Sequence, residues 1–156
     1  MESLSNLLKP QDLHKLISTQ LTKGSVFRMR LSAEEGIKDK NPGDNGRNKY
    51  FIVLGVSDTG CVIGFVLINS CINENLPGSI KNLHYPLSSS NYSFLSNNSF
   101  VDCSRIKEIQ KDKFTALFNL NSIKGVITQE DLKLIIEAVK SSGLVTPKQL
   151  RKFGLL

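Results

Sequence analysis

The chain has 156 residues, 40% apolar and 22% charged, enough to build one domain whose core needs neither disulfides nor a structural metal. Lys and Arg number 20 against 14 Asp and Glu, a net charge of +6 that favours an anionic partner such as nucleic acid. The apolar runs Phe51 to Val56 and Cys61 to Ile68 fall far short of the ~20 residues of a membrane span, and Met1-Glu2-Ser3-Leu4 lacks a signal-peptide pattern, so a soluble, cytoplasmic protein with no membrane partner is expected.

Spacing predicts a helix over residues 4–22, with Pro10 near its first turn and Leu13, Leu16, Ile17 and Leu21 on one face. From Gly24 the period changes to two. Phe27, Met29 and Leu31 alternate with Arg28 and Arg30, as in a half-buried strand. Residues 32–48 read as a long polar loop. Two nearly continuous apolar strands follow over 49–56 and 61–68, joined by the turn Ser57-Asp58-Thr59-Gly60. Their continuous apolarity requires cover on both faces, and Gly64 suggests a bulge or bend. Weaker strands are expected over 79–87 and 92–95. A short one follows over 100–104, with Asp102 and Ser104 on a single face. Thr128 is placed to cap a helix over 129–142 that Gly143 ends, and Thr146-Pro147 opens a last short helix. The expected class is α+β, a small antiparallel β-barrel with an N-terminal helix and C-terminal helices. Its parts are a helical extension over 1–23, the barrel domain over 24–142 and a short helix over 143–156.

Cysteine and histidine narrow the chemistry. Cys61, Cys71 and Cys103 form no CxxC pair, and His14 and His84 lack a second ligand at helical spacing, so no metal site, cofactor or disulfide framework is expected. Cys61 and Cys103 lie in strand-like runs, where a thiol acts as a small buried hydrophobe. No GxxxxGK[ST], GxGxxG or GxSxG occurs.

The order of these elements resembles the MazF/PemK (Kid/CcdB-like) toxin family over roughly residues 24–140. The resemblance is carried by Gly24-Ser25-Val26-Phe27, by the long loop leading into Tyr50-Phe51-Ile52-Val53-Leu54, and by Phe65-Val66-Leu67-Ile68-Asn69-Ser70. It continues through Ser99 to Phe114 and the helix after Thr128. Where the family carries Arg-Pro, this chain has Lys49-Tyr50 with Arg47 two residues earlier; where it carries Thr-Ser, this chain has Asn69-Ser70. The resemblance implies an SH3-like barrel, a homodimer, an antitoxin-like partner and metal-independent endoribonuclease cleavage of single-stranded RNA.

Such cleavage needs the 2′-hydroxyl deprotonated, the leaving 5′-oxygen protonated and the phosphorane's charge stabilised. Arg47 and Lys49 are the candidate cations and acid, and Asp102 the candidate base. Asn69 and Ser70 are candidates to hydrogen-bond phosphate or a base edge, and Arg28 and Arg30 to form a phosphate-binding wall. Tyr50, Tyr85 and Tyr92 are candidate stacking platforms, with His84 a titratable neighbour of Tyr85. Each has a plainer role open to it, a solvated charge or a core aromatic. Two rivals stand beside the ribonuclease: a catalytically silent SH3-like barrel that binds RNA or protein, and a helix-turn-helix over the last two helices using Lys148, Gln149, Arg151 and Lys152.

Overall fold

The structure, a computed structural model, describes residues 9–156. Helix α1 (Pro10–Gln20) has Pro10 in its first turn, and the part of this helix expected over 4–8 lies outside the described residues. Strand β1 (Ser25–Leu31) alternates as read, with Arg28 and Arg30 exposed. The polar stretch after it is shorter than expected. A 3-10 turn (Ala33–Glu35) opens it, capped by reciprocal hydrogen bonds between Ser32 and Glu35, and β2 (Arg47–Val56) already begins at Arg47. Strand β3 (Val62–Asn69) completes the hairpin, whose turn is closed by Gly60 N–H donating to the Ser57 carbonyl. Gly60 takes a φ of 74°, in the left-handed region where a side chain would be strained.

Helix α2 (Gly78–Lys81) stands where the first half of the 79–87 strand was expected, leaving β4 (His84–Leu87) as the remainder. Residues 92–95 form a turn, not a strand: Leu95 N–H donates to the Tyr92 carbonyl, and both side chains enter the core. Next come β5 (Ser99–Asp102), β6 (Lys107–Gln110) and α3 (Lys111–Leu117). Strand β7 (Ile123–Val126) leads to α4 (Gln129–Ser141) and α5 (Pro147–Lys152), each capped by its threonine, Thr128 and Thr146.

The strands form a seven-stranded sheet in the order β4-β5-β3-β2-β1-β7, with β6 also on β3. All its pairings are antiparallel. β5 pairs with one end of β3 and β6 with the other, so the chain from Ser99 to Gln110 follows β3 and breaks between the two. The α+β class and the antiparallel sheet agree with the sequence reading, but the barrel does not close: β4 and β7 remain edges.

The reason lies in the cover that both faces demand. One face buries Ile52, Leu54 and Val66 beneath Leu132, Ile135 and Val139 of α4 and Leu150 and Phe153 from the C-terminal end. The other buries Phe51, Val53 and Phe65 with Ile17 of α1 and Phe114 of α3. Phe27 meets Phe114 edge to face at 5.1 Å and 89° in this second core. Helices supply the cover that opposing strands would supply in a closed barrel.

The irregularity expected at Gly64 is present in the pairing of β2 with β3, and Gly64 has a second purpose besides. The register shift falls on β2 between Val53 and Gly55, which sets Gly55 opposite Gly64. A Cβ on Gly64 would stand 2.8 Å from the Phe153 ring, and one on Gly55 would stand 2.3 Å from the Phe153 carbonyl oxygen. The glycine pair is a seat for the C-terminal segment.

Candidate functional site

Antiparallel partners directly opposite one another share a sheet face. Lys49 pairs with Met29 and Arg47 with Leu31; Asn69 pairs with Phe100, and His84 with Asp102. Alternation along each strand then puts Arg47, Lys49, Asn69, Asp102 and His84 on the face that carries the phenylalanine core. They stand at the end of that core, where the side chains turn polar. There an open groove of about 630 Å³ is lined by Arg47, Lys49, Asn69, Ser70, His84 and Asp102.

Arg28 and Arg30 lie elsewhere. Their partners are Tyr50 and Asn48, so they occupy the opposite face and line a separate groove of about 290 Å³ with Lys124. The Arg28 guanidinium sits 5.5 Å from the centre of the Tyr50 ring, which stacks on Phe94 at 6.4 Å and 25°. Arg30 donates to the Asp44 carbonyl.

Within the larger groove, Lys49 Nζ donates to Asn69 Oδ1 at 2.5 Å. This bond leaves the Asn69 amide nitrogen to serve as donor to a ligand. Burial, then the neighbouring Arg47 charge, pushes the Lys49 pKa below its ordinary value. Asp102 Oδ1 accepts from the Ser104 backbone N–H at 3.0 Å and from Ser104 Oγ at 2.5 Å, which fixes the carboxylate's direction. Cations, a carboxylate, an amide and a hydroxyl therefore share one opening, a set able to hold phosphate and move protons beside it.

Two of the candidate platforms have structural duties. Tyr85 donates to Asp131 Oδ1 at 2.6 Å and Tyr92 donates to Asp131 Oδ2, while Thr128 N–H donates to the Tyr92 oxygen at 3.1 Å. These bonds moor the start of α4, and burial with the Asp131 hydrogen bond raises both phenol pKa values. Of the four residues of the helix-turn-helix rival, Gln149 and Lys152 are engaged with β6 and the segment before it, while Lys148 and Arg151 are exposed. Gln149 Nε2 donates to the Ile106 carbonyl at 3.0 Å and to Glu108 Oε2 at 2.9 Å, and Lys152 Nζ to Glu108 Oε1 at 2.5 Å. Of the cysteines, Cys103 is buried and its thiol pushed up to about 12 by burial, but Cys61 is exposed, contrary to its strand-like setting, because it lies outside β3.

Sequence reasoning missed the place of His84 in this groove. Its one signal was a histidine opening a weak strand; nothing in the spacing tied it to Asp102. Among the described residues no group of three or more His, Cys, Asp and Glu is gathered closely enough to hold a metal ion, and no helix is long and apolar enough to cross a membrane.

No family model matches the sequence, and no curated protein matches it. Among solved structures, the toxin MazF-mt6 of Mycobacterium tuberculosis aligns with a TM-score of 0.48 at 13% identity, over 78% of this chain and 98% of that one.

Proposed function

We infer that the groove binds single-stranded RNA and cleaves it without a metal, so that the protein acts as a toxin-like endoribonuclease in the cytoplasm. The observation that carries this reading is the gathering of Arg47, Lys49, Asn69, Ser70 and Asp102 in one groove. Asp102 takes the proton of the 2′-hydroxyl, and the 2′-oxygen attacks the adjacent phosphorus. Arg47 and Lys49 stabilise the pentavalent intermediate. Lys49 gives a proton to the leaving 5′-oxygen, helped by its lowered pKa. The products are a 2′,3′-cyclic phosphate and a 5′-hydroxyl. Arg28 and Arg30, on the other face, extend the phosphate contacts, and the same reading carries a homodimer and an antitoxin-like protein partner.

The test is incubation of purified protein with a long, weakly structured RNA in EDTA, followed by mapping of the new ends. Cleavage that survives EDTA and disappears in Asp102→Ala and in Arg47→Ala/Lys49→Ala is the expected outcome. Measurable RNA binding without cleavage over many hours would instead favour the silent binding module.

A further inference from the structure

Beside the groove lies a smaller pocket of about 210 Å³ that shares Arg47, Lys49 and Ser70 with it. The rest of its lining belongs to the other face of the sheet. Residues Arg47–Lys49 of β2 run past the last pairing with β3, Tyr50 with Ile68, so among the described residues only β1 pairs with them. The two faces meet around this end of β2. Tyr50, Ile68 and Leu95 supply an apolar wall, and the exposed Asn48, Ser96 and Asn97 a polar rim.

The charge around the pocket has one sign. Among the described residues no carboxylate lines it, and none lines the groove of Arg28, Arg30 and Lys124 that meets it at Asn48. Neither these three cations nor Arg47 and Lys49 form an ion pair among the described residues. The walls are also fixed in advance. Tyr50 is held by the Arg28 guanidinium at 5.5 Å and by the Phe94 ring at 6.4 Å. The turn bearing Ser96 and Asn97 is tied down on each side. Leu95 N–H donates to the Tyr92 carbonyl at 3.1 Å, Ser89 N–H to Asn98 Oδ1 at 2.9 Å, and Ser99 Oγ to the Asn97 carbonyl at 2.9 Å. Such preorganisation lowers the ordering cost of binding.

We propose that this pocket holds the base of the nucleotide whose phosphate rests on Arg47 and Lys49, and that Asn48 and Asn97 read its edge; this rests on the reading of the groove as an RNA-cleaving site. An unpaired base is an apolar plate with a hydrogen-bonding rim, and in a single strand that rim is free. The wall of Tyr50, Ile68 and Leu95 takes the plate. Each asparagine amide offers donors and an acceptor, so it matches the edge of one base and leaves another imperfectly paired. The strand thus crosses the end of β2, with its 2′-hydroxyl on the Asp102 face and its base on the Tyr50 face. Further along, Arg28, Arg30 and Lys124 meet phosphates, which position the strand without reading it.

The experiment maps the ends cut in an RNA of random sequence by wild type and by Asn48→Ala/Asn97→Ala. Affinities are measured alongside for 2′-O-methyl oligomers of each of the four bases, which cannot be cut. Wild type is expected to favour one base at a fixed position next to the cut and the same base in binding. The double variant is expected to lose about 10-fold of that preference. Cleavage by wild type with no base preference would overturn the pocket and leave the ribonuclease standing. A uniform loss of affinity with the preference intact would also overturn it, because the two asparagines would then be meeting the backbone. Base-dependent binding that the double variant loses, without any cleavage by wild type, would keep the pocket and overturn the ribonuclease. A second measurement needs no variant. The side-chain amide signals of Asn48 and Asn97 in wild type are expected to move with the favoured oligomer and stay in place with inorganic phosphate. Equal movement with phosphate alone would overturn the base pocket.

Discussion

Lys49 is held in the groove against its own preference for water. Burial and the Arg47 charge both lower its pKa, so the charged form is less favoured in the folded chain than in the unfolded one. The resulting loss of stability is present below the folded pKa and disappears as pH rises through it toward the unfolded value. At neutral pH, therefore, Lys49→Met is expected to leave the thermal midpoint unchanged or raised while RNA affinity falls. Calorimetry paired with a binding titration checks this. A lowered midpoint would show that the bond to Asn69 outweighs the burial. A cation drawn into a partly buried site beside a second cation costs stability in this way.

Among the elements, the stretch between β1 and β2 is held by one ionic cluster. Lys113 of α3 donates to both oxygens of Glu35 at 2.8 Å and to Ser32 Oγ at 2.9 Å, and Glu35 is almost wholly buried. Burial alone would lower the Lys113 pKa, but the hydrogen bonds to Glu35 and Glu34 outweigh it and raise the value. Its contribution is thus complete below the unfolded lysine value of about 10.4 and is lost as pH rises through the folded one. Glu35→Gln is expected to destabilise the protein by about 1–3 kcal/mol at neutral pH, and to flatten the alkaline fall in stability measured by urea titration. The seat for the C-terminal segment gives a sharper case. A methyl group on Gly55 meets backbone oxygen, which has little room to give. Gly55→Ala should lose about 1–3 kcal/mol or more by the same measurement, and an unchanged midpoint would mean that α5 can lift from the sheet at little cost.

At the scale of the whole molecule, two cores lie on opposite faces of one sheet, β4, β6 and β7 each pair on one side only, and the net charge is +6. The β7 edge is only four residues long and contains Lys124, and the β4 edge contains Pro86, both features that discourage uncontrolled pairing. A closed two-fold dimer is the expected assembly. Sedimentation equilibrium at tens of micromolar should give about twice 17.3 kDa, and a single-chain mass there would count against it. RNA affinity should fall with salt, and each phosphate contact removed by Arg47→Ala or Lys49→Ala should reduce the log–log slope by about 0.7. An undiminished slope in the double variant would move the phosphate contacts to the Arg28, Arg30 and Lys124 groove on the other face.

Local chemistry was enough for the parts of this protein that close on themselves. The Ser57–Gly60 turn, the threonine caps of α4 and α5, and the two-sided apolarity of β2 and β3 depend on neighbours a few residues apart, and sequence alone determined them. The alternation in β1 was equally legible. Which face Arg28 and Arg30 would occupy relative to Lys49 was not, because shifting a strand pairing by one residue exchanges the faces. β7, four residues including Gly125, has little strand preference of its own and exists by pairing with β1. Tyr92 and Leu95 reach the core through a turn because Tyr92 moors the start of α4. Burial on both faces, met by helices from the two ends of the chain, left the sheet open. The meeting of His84 with Asp102 was decided by tertiary structure alone, since only the pairing of β4 with β5 brings those two side chains together.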